Sequence, residues 1–132
     1  MSKASELLGD FAHAVDRLAE ACDRVAADAT GDALLRDGLI QRFEFCFELA
    51  WKAIQSVAGT EGVVVRSPKT ALAHALQAGW SQDEALWFRM LEARNLCAHT
   101  YDEVVAEEVA GEVPRFLPAL RALRSGLPQV SE

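Results

Sequence analysis

Between Asp32 and Ala58 the chain carries a helical pattern that is apolar round most of its circumference, and no other segment restricts the fold as much. Ile40, Phe43, Phe47, Trp51, Ile54 and Ala58 recur at three- and four-residue steps and form one stripe. Leu39, Phe45, Cys46, Leu49, Ala50, Ala53 and Val57 fill much of the rest, and Gln41, Glu44, Glu48, Lys52 and Gln55 hold one narrow polar face. A helix apolar on several sides must be covered on several sides. Three further helices, or three helices and a second subunit, can supply that cover.

The remaining segments supply the helices. Leu7, Leu8, Phe11, Val15, Leu18, Ala21, Cys22 and Val25 give a first amphipathic helix, punctuated by "ATGD", where Asp28, Thr30 and Asp32 are candidate caps. Val63 to Val65 resemble a strand, but no other segment offers a pairing partner. Ser67 followed by Pro68 reads as a helix start, and Gly79 as its end. Ser81 with Glu84 fits a capping box for a fourth helix through Ala85, Leu86, Phe88, Met90, Leu91 and Leu96. Asp102 can cap a last helix, which Gly111 and Pro114 are expected to bend or break, because proline removes a donor and clashes with the preceding turn. Leu117, Leu120, Leu123 and Leu127 resume the period. Without an internal repeat or a second hydrophobic centre, residues 1–132 read as one all-α, antiparallel up-and-down bundle of four to five helices, and the nearly all-round apolar second helix is the motive for expecting a homodimer.

Charge and cysteine usage narrow the function classes. The formal net charge of −7 argues against a general nucleic-acid coat, which needs a basic face, and makes a basic partner surface plausible. Cys22, Cys46 and Cys97 form no pair with metal-ligand spacing, and a disulfide framework is not expected. No run reaches the length of a membrane span and no signal-peptide block opens the chain. The expectation is a soluble cytoplasmic protein with no metal and no cofactor.

The chemistry concentrates in "EARNLCAHTYDE", residues 92–103. On a continuous helix Arg94 and His99 would stand roughly 140° apart. An ending near residues 98–100, ahead of the Asp102 cap, would instead put Arg94 on the last turn with His99 and Tyr101 just beyond it. Such an end can serve a phosphate, since arginine binds it in a fork and histidine moves a proton near neutral pH. Plainer readings stand beside this one. Arg94 is a cation at a helix C-terminus, His99 a cap of the same helix, and Tyr101 a ring anchoring the loop into the core. Glu44 and Glu48, one turn apart, read as a solvated or inter-subunit face. Trp51, Trp80 and Trp87 read as core and dimer contacts. Arg42, Lys52, Arg66, Lys69 and Arg89 are candidates for a basic lining.

"RNLCAHTY" fits an R-x4-H-x-Y pattern and resembles the HEPN (higher eukaryotes and prokaryotes nucleotide-binding) superfamily, in particular HepT-like toxins paired with MNT (minimal nucleotidyltransferase) antitoxins. "GLIQRFEFCFELAWKAI", "SPKTALAHALQAGW", Trp87, Met90–Leu91 and "RN…HTYDE" extend the resemblance to the nucleotidyltransferase substrate-binding-protein family from about Gly38 to Ala106. The resemblance implies a homodimeric helical bundle that binds a small nucleotidyltransferase encoded beside it, with RNA or a nucleotide at the dimer cleft. It also implies, for some relatives, a metal-independent ribonuclease. Carried over by motif position, Arg94 and His99 are then the catalytic pair, Asn95 an accessory group, and Tyr101 the side chain that the partner silences by adding AMP. Two functions follow from the resemblance: a non-enzymatic partner subunit of the transferase, and a ribonuclease toxin.

Overall fold

The computed structural model describes residues 2–130. Among them, five α-helices follow in order: α1 Lys3–Ala27, α2 Ala33–Thr60, α3 Pro68–Gln77, α4 Glu84–Leu96 and α5 Glu103–Gly126, with a 3₁₀ turn at Cys97–His99 between the last two. They form the expected all-helical antiparallel bundle, and no strand occurs among the described residues.

Local chemistry explains the starts. Ser2 and Asp32 accept backbone N–H bonds from Ser5 and Leu34, satisfying donors that a helix start leaves free. Asp28 knits the turn between α1 and α2 by accepting from the Thr30 hydroxyl at 2.7 Å and from the Asp32 N–H at 2.8 Å. Ser67 and Thr70 form a reciprocal capping box ahead of Pro68. The valine segment is held against α2 instead of in a sheet: Gln55 Nε2 donates to the Val65 carbonyl at 2.7 Å.

Two local expectations are corrected. Ser81 does not cap α4. Its hydroxyl is buried without a hydrogen-bond partner, and Asp83, in a left-handed conformation with φ of 64°, accepts the Leu86 N–H instead. Nor do Gly111 and Pro114 break the last helix, which runs on through Pro114 and Pro118. Each proline removes one ladder bond, but the face carrying Val109, Val113, Phe116, Leu120 and Leu123 is wholly buried. Tertiary burial outweighs local preference there.

One continuous apolar cluster joins all five helices. At its centre Phe43 of α2 stands 5.5 Å from Phe116 of α5 and 6.3 Å from Phe47, ring centre to ring centre. Phe11, Val15 and Leu18 of α1 close one side of α2, and Trp87, Met90 and Ala93 of α4 add to the same cluster. As the sequence required, α2 is covered on several sides. The exception is Phe45, expected as part of the fill and 58% exposed.

Two arginines lash helices together. Arg36 on α2 reaches Glu103 at 2.8 Å and Glu107 at 2.9 Å on α5, besides its neighbour Asp37. Arg89 on α4 grips Glu112 of α5 through both ends of its fork, with Glu92 and Glu108 nearby. These bonds hold both guanidinium groups more firmly protonated than usual and hold Glu103 and Glu112 below the ordinary carboxylate range.

Candidate functional site

The α4 end is built by a change of helical pitch. The Cys97 N–H is shared between the Ala93 and Arg94 carbonyls, which tightens the last turn into the 3₁₀ segment. The Thr100 hydroxyl donates back to the Cys97 carbonyl at 3.1 Å, and the Asp102 N–H to the His99 carbonyl at 3.0 Å. Asp102 then caps α5 by accepting from Val104 and Val105. The loosening expected before His99 is therefore present, with Arg94 on the last α-helical turn.

Arg94 turns toward α2. Its Nη2 donates to Glu48 Oε1 at 2.5 Å, and its Nη1 to Asn95 Oδ1 at 3.3 Å. Its guanidinium lies over the Phe47 ring, 5.9 Å from the centre. Glu48 is held from its other side, where Trp51 Nε1 donates to Oε2 at 3.0 Å. Trp51, Glu48, Arg94 and Asn95 thus form a chain of bonds across α2 and α4, with Arg94 and Glu48 about one-third exposed. Glu44 lies on the same side of α2. Burial pushes its carboxyl up, Arg94 pulls it back, and Glu48 adds a further push.

His99 and Tyr101 make a second, separate pair. Their rings meet edge to face at 6.1 Å, both residues are exposed, and no hydrogen bond joins Arg94 to His99 among the described residues. Tyr101 is 84% exposed, so it is not the core anchor entertained from sequence. It offers its phenol to solvent. Cys97 is buried, and its thiol is pushed up to about 12 by burial and then by Glu44, which disfavours a thiolate nucleophile beside His99.

The candidate basic lining does not assemble. Arg42 donates to the Arg17 carbonyl and faces Glu20, Arg89 is bound by three glutamates of α4 and α5, and Lys52, Arg66 and Lys69 are simply exposed. A groove of about 950 Å³ between α1 and α2, lined by His13, Arg17, Arg42, Phe45 and Leu49, includes none of the motif residues. Among the described residues no His, Cys, Asp and Glu cluster suits a metal ion, and no helix is long and apolar enough to cross a membrane.

Sequence reading missed one role, that of the glutamate that holds Arg94. Its signal was the polar face of an otherwise apolar α2. A carboxylate kept on such a helix needs a partner, and the partner lies 46 positions along the chain.

Comparisons with known proteins agree with one another. Residues 6–129 match the family described as nucleotidyltransferase substrate binding protein like. The chain is 33% identical over 85 residues to a probable ribonuclease HepT of Haemophilus influenzae, an alignment covering 61% of this chain and 58% of that protein. It therefore spans somewhat over half the length of that curated relative. Among solved structures, a Thermus thermophilus protein superposes with a TM-score of 0.77 at 30% identity, covering 90% of this chain and 99% of the other. A Haemophilus influenzae protein, described as having the fold of a substrate binding domain of a nucleotidyltransferase, superposes with a TM-score of 0.82 at 25% identity, covering 92% and 99%.

Proposed function

Because the chain belongs to the nucleotidyltransferase substrate binding protein like family, we propose that it is the partner subunit of a small nucleotidyltransferase of the MNT type. The observation that carries this is the family match across residues 6–129, joined by the superposition on a relative described as having the fold of a substrate binding domain of a nucleotidyltransferase. An acidic bundle, with net charge −7, suits a basic partner surface. Tagged chain expressed with a nucleotidyltransferase encoded beside it should co-purify with that enzyme. Recovery without it, from cells that make both, would overturn the partnership.

The chain acts as a homodimer in this reading. Phe45 and Phe88 leave apolar surface on α2 and α4 for a second copy to cover, and the Arg94 end would then face a cleft where RNA or a nucleotide binds. Light scattering at micromolar concentration should return twice the chain mass. A stable monomer would remove the dimer.

A second reading is favoured by the name of the HepT relative and by Arg94 and His99 standing at one helix end. In it the chain is a metal-independent ribonuclease. The RNA's own 2′-hydroxyl attacks phosphorus, the 5′-oxygen leaves, His99 moves the proton, and Arg94 stabilises the charge on the phosphorane. Asn95, bonded to Arg94, is the accessory group. AMP transferred to Tyr101 would place a phosphodiester within reach of His99 and silence the site. Intact mass after incubation with the cognate transferase, ATP and magnesium should rise by one AMP, and Tyr101→Phe should abolish the rise. Expression of the chain alone should degrade RNA, and His99→Ala should prevent it. Intact RNA with the wild-type chain leaves the non-enzymatic subunit.

A further inference from the structure

We propose that Glu48 is a built-in competitor for the Arg94 site: in the free chain its carboxylate occupies the guanidinium position that an RNA or nucleotide phosphate would take. The inference rests on the reading of Arg94 as a phosphate-binding group and adds how that group is regulated.

The geometry makes the competition direct. An arginine binds phosphate and carboxylate through the same forked N–H groups. One of the two terminal nitrogens of Arg94 is taken by Glu48, and the other is spent on Asn95 at 3.3 Å, a long bond to a neutral amide. A phosphate that takes the edge of the fork now bonded to Glu48 must part the two. The carboxylate has somewhere to stay when that happens, because its second oxygen is already held by Trp51. Glu48 can therefore give up Arg94 without losing every partner. The pair is about one-third exposed, so water and an incoming anion reach it. Phe47 beneath the guanidinium keeps Arg94 in place during the exchange. Glu44 lies on the same side of α2, near enough for Arg94 and Glu48 both to act on its carboxyl.

Removing the charge at position 48 while keeping the shape should open the site. The probe is a short fluorescein-labelled RNA with 2′-O-methyl sugars, which binds without being cleaved, and the readout is anisotropy on the full-length chain. Glu48→Gln, whose amide oxygen can still accept from Trp51, should bind about two- to fivefold more tightly than wild type, the scale of a partly exposed ion pair. Arg94→Gln should lose binding in both backgrounds. Equal or weaker binding by Glu48→Gln, with wild-type binding dependent on Arg94, would overturn the proposal and leave Glu48 as a positioning residue. Binding unaffected by Arg94→Gln, or absent from every variant, would instead overturn the phosphate reading of Arg94 and the competition with it. The wild-type chain alone gives a second measurement should the variant fold poorly. Saturating probe should shift the Arg94 guanidinium NMR signal and leave the Trp51 indole N–H hydrogen-bonded. An unmoved Arg94 signal overturns the proposal.

Discussion

Arg36 on α2 and Arg94 on α4 both reach across to carboxylates on another helix, yet they do different work. Arg36 is only 8% exposed and satisfied by Asp37, Glu103 and Glu107, so its fork is full and its position fixed by three partners. Arg94 is far more open and has one carboxylate and one amide. A saturated guanidinium braces α2 against α5. A partly satisfied one, at a helix end beside an exposed imidazole and phenol, can exchange partners. The same contrast runs through the helices. The α1–α2–α5 side is apolar packing closed by ionic clasps, and the α4 end is polar groups on a rigid support.

Core truncation is the strongest way to test that division. Phe43→Ala removes a ring with no exposure that touches Phe47 and Phe116, and should cost about 3–5 kcal/mol in urea unfolding. A loss under about 1 kcal/mol would mean the α2–α5 side is not the stabilising half. Gly126→Ala comes next. A methyl group there would run into the Trp80 backbone carbonyl, which cannot swing aside as a side chain can. The expected cost is about 1–3 kcal/mol, although alanine is the better helix former. Unchanged stability would show that the α5 terminus is loosely seated.

Acid should loosen the Arg89–Glu112 clasp between α4 and α5. The Glu112 carboxyl is held below its ordinary range by Arg89, so its contribution is complete above the unfolded value, about 4.3 for glutamate. As pH falls through that value and on through the lower folded one, the unfolded chain binds the proton first and stability declines. Urea midpoints measured across this window should fall for wild type and fall less steeply for Arg89→Gln. Parallel slopes would remove Arg89 from the bracing role. The smallest effects belong to the motif end: His99→Ala and Tyr101→Phe, both exposed, should change stability by no more than about 0.5 kcal/mol. A larger loss would make these residues structural and erase the contrast.

Much of this is readable from the sequence because it is local. Asp32, Ser67–Pro68 and Asp102 announce helix starts through side chains that reach their own backbone a few residues on. The apolar stripe of α2 announces its burial. Local rules fail where a distant contact decides. Pro114 reads as a break, and the packing of Phe116 and Leu120 against α2 carries the helix past it. Ser81 reads as a cap, and the left-handed turn at Asp83 takes the cap two residues on. The candidate site follows the same pattern. Arg94, Asn95, His99 and Tyr101 lie within eight positions and are legible as a cluster. The Glu48 contact that arranges Arg94 joins two helices far apart in sequence, and the polar face of α2 does not say which cation it will meet.

The two prolines inside α5 have a consequence for the order of assembly. An isolated helix with interior prolines is penalised by about 3 kcal/mol at each, so α5 has little reason to form before it has a surface to lie on. α1 and α2 are joined by residues 28–32 alone and pair locally, which is the fast kind of contact. On the ribosome, that hairpin emerges before α5 and waits without the Phe116 contact to Phe43 until residue 116 arrives. A chain released before α5 is complete would carry a bare aromatic surface, the kind that quality-control proteases and chaperones seize.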